Sequence, residues 1–119
     1  MLGLIDLSRT YIVQSFADVN SSSRFPGFWA AHYDWVPDQD HGATATLALQ
    51  AMLMQTDGDR IVLLPAWPLD WDVSFRLHAP GCTVVECVVS QGCVTHLKVT
   101  PAHRRRDVIL SGDFQDQTP

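Results

Sequence analysis

Ala43-Thr44-Ala45-Thr46-Leu47-Ala48-Leu49-Gln50-Ala51-Met52-Leu53-Met54-Gln55 runs through Thr56 into Asp57-Gly58, and then into Arg60-Ile61-Val62-Leu63-Leu64-Pro65. The first stretch is rich in alanine, leucine and methionine. These residues lose little side-chain freedom in a helix, so a helix over residues 43–55 follows. Apolar groups fall on most of its faces, which predicts an element buried on several sides. Asp57-Gly58 supplies the stop and the next turn. Arg60 to Leu64 is a short apolar strand closed by Pro65. The chain therefore divides here, into a helical segment, 1–56, and a β domain, 57–115.

Working back toward the start, Leu4, Leu7, Tyr11, Ile12, Ser15 and Phe16 recur at helical spacing, which predicts a short amphipathic helix over 4–18. Asn20-Ser21-Ser22-Ser23 is a polar linker. Pro26-Gly27 marks a turn inside Phe25-Pro26-Gly27-Phe28-Trp29. Its aromatics either pack against a neighbouring element or offer a platform for the apolar face of a sugar. Asp34-Trp35-Val36-Pro37-Asp38-Gln39-Asp40-His41-Gly42 then concentrates three carboxylates, an imidazole and an indole just ahead of the apolar helix. Such a cluster can cap the helix, bind an ion or reach a sugar. Asp40 is placed to be the N-cap, where a carboxylate accepts an amide hydrogen bond and complements the positive helix end.

Downstream the pattern changes to short strands. Pro65-Ala66-Trp67-Pro68 is a stiff connection, because each proline restricts its own φ and the residue before it. Trp71 to Leu77 is a second strand, and Pro80-Gly81 a turn. Thr83 to Val89 and Val94 to Thr100 flank Gln91-Gly92 and form the clearest hairpin in the chain. Arg106 to Leu110 is the last strand, with Arg104-Arg105-Arg106 as its solvated entrance. The tail after Ser111 is expected to fray. The fold class that follows is α+β: an N-terminal helical segment and then a small antiparallel β-sheet or sandwich.

Composition narrows the functions. A chain of 119 residues with 46% hydrophobic and 18% charged residues builds one modest core and is not globally disordered. The net charge of −5, with Lys98 the only lysine, argues against nucleic acid as a partner. No stretch approaches the roughly 18 apolar residues that cross a membrane, and no signal peptide is visible. Cys82, Cys87 and Cys93 lack zinc-ribbon spacing. Cys87 alternates with apolar neighbours as an inward thiol, while a Cys82–Cys93 disulfide across adjacent strands stays open. The compartment stays open with it.

The acidic cluster points toward glycosidic-bond chemistry. One protonated acid donates to the leaving oxygen, and a second carboxylate attacks or activates water, at about 5–5.5 Å separation for retention and about 6.5–9.5 Å for inversion. Glu86, the one glutamate, lies in a strand of the other half and reads as a solvated residue. His32, Asp34, Asp38, Asp40 and His41 carry metal-ligand chemistry but match neither a zinc-helix nor a calcium-loop spacing. His78, His96 and His103 are scattered. With no glycine-rich phosphate cradle and no Gly-x-Ser-x-Gly turn, nothing calls for a cofactor.

Three segments together resemble the C-terminal end of bacterial alpha-L-fucosidases of glycoside hydrolase family 95. The family's Ile-Asp-Gly-Asn-Phe-Gly-Gly-like opening of a barrel helix is matched at Asp40, with His41, Gly42 and Ala43 standing where the family has Gly-Asn-Phe. Its Met-Leu-Leu-Gln-like helix end is matched by Met52-Leu53-Met54-Gln55. Its Gly-Glu-Ile-His-Leu-Leu-Pro-Ala-Leu-Pro-like strand is matched by Gly58-Asp59-Arg60-Ile61-Val62-Leu63-Leu64-Pro65-Ala66-Trp67-Pro68. The resemblance spans residues 36–100. It implies a parent glycosidase on an (α/α)6 barrel, with residues 1–56 a remnant of its last helices. It also implies inverting hydrolysis of alpha-linked L-fucose or a similar sugar, Asp40 on the water-activating side of the site, and a general acid from an upstream glutamate. Asp38, His41, Trp35 and His32 are the accompanying candidates for sugar contact. The partners implied are a carbohydrate and the upstream catalytic barrel. A remnant of two helices must dock on its own sheet or self-associate as a homodimer. Two other readings compete: a carbohydrate-binding module using Trp29, Tyr33, Trp35, Trp67 or Trp71, and a purely structural domain.

Overall fold

The computed structural model describes residues 4–17 and 40–118. Two helices, α1 (Ile5–Ala17) and α2 (Asp40–Leu53), precede seven strands. These are β1 (Met54–Asp57), β2 (Arg60–Leu63), β3 (Val73–Ala79), β4 (Thr83–Ser90), β5 (Cys93–Thr100), β6 (Val108–Leu110) and β7 (Gln115–Asp116). A 3-10 helix, Ala102–Asp107, joins β5 to β6. The strands form one sheet in the order β1-β2-β6 and another in the order β3-β4-β5-β7. The expected order of helices before strands is present. The sheets, however, are mixed rather than antiparallel: β6 runs parallel to β2 and β7 parallel to β5. No closed sandwich or barrel is formed by the described residues.

The hairpins follow local turn chemistry. Gln91 and Gly92 both take positive φ, +50° and +73°, as the two-residue turn between β4 and β5 requires. Asp72 braces that turn, accepting from the Gln91 N–H at 2.7 Å and the Ser90 hydroxyl at 3.1 Å. Gly58 at φ +58° opens the turn between β1 and β2. The helix expected over 43–55 ends earlier, at Leu53, because Met54 and Gln55 pair with Leu63 and Val62. The β1–β2 hairpin thus straddles residues 56 and 57.

One core joins helices and sheets. Met52, Leu53 and Ile12 bury against Ile61, Leu63, Leu64, Val85, Cys87, Val89, Val94 and Trp67. Alternation places Val85, Cys87 and Val89 of β4 inward and Val84, Glu86 and Val88 on the other face. Neither helix is buried as its pattern predicted. On α2 the covered residues are Ala45, Leu49, Met52 and Leu53, and Leu47 is 65% exposed. On α1 only Ile12 is buried, whereas Leu4, Leu7, Tyr11 and Phe16 lie exposed. The seam therefore runs along Ile12, off the Leu4–Leu7–Tyr11 stripe.

The basic run stands at the entrance to β6 as expected, with Arg106 exposed and Arg105 half-exposed, but Arg104 is drawn inward. The run lies in the 3-10 helix, and each arginine meets an aspartate. Arg104, 12% exposed, bonds Asp107 at 2.7 Å, donates to the Thr83 hydroxyl at 3.1 Å and reaches the Asp59 carbonyl at 3.2 Å. It thus ties the β1–β2 turn of one sheet to the start of β4 in the other. Thr83, fully buried, donates in turn to the Gly81 carbonyl. Arg105 pairs with Asp116 at 2.8 Å.

The tail does not fray. Phe114 is buried, Gln117 N–H donates to the Val94 carbonyl at 3.0 Å, and β7 extends the second sheet. Phe114 supplies an apolar anchor that the polar composition around it conceals. The Asp116 carboxyl is held below its ordinary value, first by the Thr118 hydroxyl and then by the Thr118 N–H; partial burial opposes this and Arg105 reinforces it.

Two outcomes follow. Arg104→Met strands Asp107 and Thr83 in a largely buried site and should lower stability by about 2–3 kcal/mol in chemical denaturation. Asp116 has a folded pKa below its unfolded one, so its contribution is present above the ordinary value of 3.8 and is lost as pH falls through the depressed value. NMR shifts of residues 93–95 and 115–118 should therefore report undocking of β7 in that acid window, and Asp116→Asn should weaken the docking at neutral pH.

Candidate functional site

The residues that carry the glycosidic reading sit at the entrance to α2. His32, Trp35 and Asp38 lie outside the described residues, as do Trp29, Tyr33 and Asp34. Asp40 and His41 are the first two residues of α2, and only their backbone is described. A helix start of this kind presents free N–H groups and a positive field, which favours a carboxylate or a bound anion. The helix begins earlier than the expected 43, with Asp40 as its first residue rather than the cap before it.

Farther along α2, two depressions open. One, about 580 Å³, runs between α2, β1 and the outer edge of β3, with Leu47, Ala51, Met54 and Leu77 as its apolar lining. The other, about 230 Å³, lies between α1 and α2, at Tyr11, Ile12, Ala48 and Met52.

The aromatic candidates in the β domain do not form a sugar platform. Trp67 is 5% exposed and donates its indole N–H to the Trp71 carbonyl at 2.9 Å. The two rings meet edge to face, with centroids 5.3 Å apart at 75°. Trp71 is half-buried, and the Arg9 guanidinium stands 5.3 Å from its ring centroid. The same guanidinium forms two 2.9 Å bonds to Asp70. The rings are thus spent on packing and on a clasp between α1 and the loop before β3. No local pattern announces this clasp, because Arg9 and Asp70 are 61 residues apart.

Glu86 is half-buried on the outward face of the second sheet. It lies in one cross-strand row with Arg76 at 3.9 Å and Lys98 at 3.8 Å. Both of these partners are cations, unlike the paired acids of a hydrolytic site. Among the described residues no three His, Cys, Asp or Glu side chains converge as a metal set. No described helix is long and apolar enough to cross a membrane.

The three cysteines are free. The Cys82–Cys93 bridge fails on geometry, because Cys82 precedes β4 while Cys93 pairs with Ser90 at the strand's far end. Cys87 faces inward, and burial, helped by the Asp116 charge, pushes its thiol up to about 11. It is a packing group, not a nucleophile.

No protein-family model matches the chain, and neither the curated proteins nor the solved structures contain a match.

Alkylation at neutral pH should label exposed Cys82 quickly and half-buried Cys93 more slowly, while Cys87 reacts only after denaturation. Mass spectrometry of the labelled peptides checks the order, and fast labelling of Cys87 in the native protein would contradict its placement.

Proposed function

We propose that the chain is the C-terminal part of an inverting glycoside hydrolase of the family 95, alpha-L-fucosidase-like kind, incomplete on its own. One observation carries this reading: both helices are covered along a single stripe, with Leu47 of α2 and Leu7, Tyr11, Val13 and Phe16 of α1 left exposed. Helices with apolar residues beyond the covered stripe suit an interior. In a parent (α/α)6 barrel, neighbouring helices would cover Leu47 of α2 and Leu4, Leu7 and Tyr11 of α1, all now exposed.

In this reading Asp40, at the start of α2, organises the water on the attacking side of the sugar. Trp35, Asp38, His41 and His32 contact the substrate. The proton donor is a carboxyl of the upstream barrel, since an inverting pair stands about 6.5–9.5 Å apart across the bond. Glu86 is not that donor, being set between Arg76 and Lys98 on the second sheet. The substrate is an alpha-L-fucoside or a similar sugar. The β domain's role is support. The buried Trp67 favours that support role over an independent carbohydrate-binding module.

The isolated chain should release no aryl alcohol from an aryl alpha-L-fucoside. Titration with L-fucose should shift amide signals at the start of α2, weakly, and Asp40→Asn should abolish the response. Turnover by the isolated chain would refute incompleteness. Shifts clustered at Trp71 would favour a binding module, and no response anywhere would leave a structural domain.

A further inference from the structure

The strand β3 is an edge of the second sheet, and no described residue pairs with its outer side. Alternate residues of such an edge direct N–H and C=O groups outward, where they template another strand. Seven residues long, β3 is among the longer strands of the fold. It carries no proline or bulge along its ladder with β4 to blunt it. Directly beside this edge lies the 580 Å³ groove walled by Leu47 and Ala51 of α2 and Met54 of β1, with Leu77 of β3 as its floor. An open ladder next to an apolar trough is the pair of features used in strand addition: the main chain supplies affinity, and the trough selects alternate side chains.

Charge specifies the occupant. Across the outward face, Lys98, Glu86 and Arg76 form one row in which cation, acid and cation alternate. A strand added beside β3 places its own side chain next to Arg76, whose side chain is 66% exposed. An acid there continues the alternation, and its neighbours two positions away lie next to Ser74 or the exposed His78. The intervening residues of the same strand point the other way, toward the groove. We propose that the β3 edge and the α2 groove receive an extended segment of another polypeptide in which acidic residues alternate with apolar ones. This docking does not depend on the glycosidase reading.

A second copy of the chain fits less well. Pairing β3 with itself about Arg76 opposes two guanidinium groups, which destabilises a sheet, and pairing about Leu77 or Phe75 sets Arg76 opposite His78 or Ser74, neither of them an acid that would continue the alternation. The net charge of −5 does not forbid an acidic partner, since screening over about 10 Å at 0.1 M salt leaves the local row dominant.

The test uses the full chain and two capped eight-residue peptides, one alternating valine with glutamate and one alternating valine with lysine. Fluorescence anisotropy should show the glutamate peptide binding and the lysine peptide weaker by about tenfold or more. Amide shifts should map to Val73–Ala79 and to α2. Arg76→Glu should reverse the preference between peptides, and Leu47→Asp should weaken both. Leu47 is 65% exposed, so the Leu47→Asp melt should stay near the parent's; Arg76→Glu sets a second acid opposite Glu86 and should melt somewhat lower, so its peptide preference is read well below that melt. Absence of binding, equal binding of both peptides, indifference to both substitutions, or concentration-dependent shifts across β3 without peptide (a dimer through that edge) would each overturn the proposal.

Discussion

The contact on which the architecture turns is the end of α2 against the corner after β2. A helix ends with carbonyls that have no partner within it, and when that end is buried each must be satisfied elsewhere. Here the Leu53 carbonyl accepts from the Leu64 N–H at 2.7 Å, and the Met52 carbonyl accepts from the Ala66 N–H at 3.4 Å. Leu64 makes this geometry by adopting φ +58°, a left-handed conformation that costs a non-glycine residue about 1–2 kcal/mol. The conformation persists because Leu64 is 1% exposed and Leu53 and Leu63 bury beside it. Burial of that one leucine side chain contributes about 1.5–3 kcal/mol, which offsets the backbone strain. Helix, hairpin and proline exit are thereby one unit.

The second constraint is the return of the chain. After β5 the backbone leaves its sheet, passes through the 3-10 helix, adds β6 beside β2 in the first sheet, and comes back as β7 beside β5. Parallel additions of this kind need a crossover, and the 3-10 helix with its arginines supplies it. Arg104 holds the crossover to Thr83 and Asp59, and Arg105 holds it to Asp116. Two of the three basic residues thus stitch the crossover to the sheets, while Arg106 stays in solvent beside Asp107.

What the sequence disclosed follows the range of the interaction involved. Gln91-Gly92 announces its hairpin because the signal lies in the two residues whose φ must be positive. The helix before Leu53 is equally local. Met54 and Gln55 were read as helix because their own propensities favour it; their pairing with Leu63 and Val62 overrides that preference. The strand β7 is invisible in sequence, since its partner lies more than twenty residues away and its anchor is the single Phe114. On α1 the helical spacing marks Leu4, Leu7, Tyr11, Ile12 and Phe16 together, and of these the core encloses Ile12 alone. For the candidate site, the alanine-rich run marks α2 from 43 onward but misses its first turn, which begins at Asp40, while the Arg9–Asp70–Trp71 clasp depends on residues no local pattern connects.

The two halves of the molecule differ in how far their apolar surface is satisfied. In the β domain Ile61, Leu63, Val85 and Val94 are entirely enclosed, and the outward residues of β3 to β5 are mostly polar. In the helical part, Leu4, Leu7, Tyr11 and Leu47 remain about half exposed or more. A sheet that closes its own core is thereby joined, at the Leu64 corner, to two helices that enclose much less of theirs.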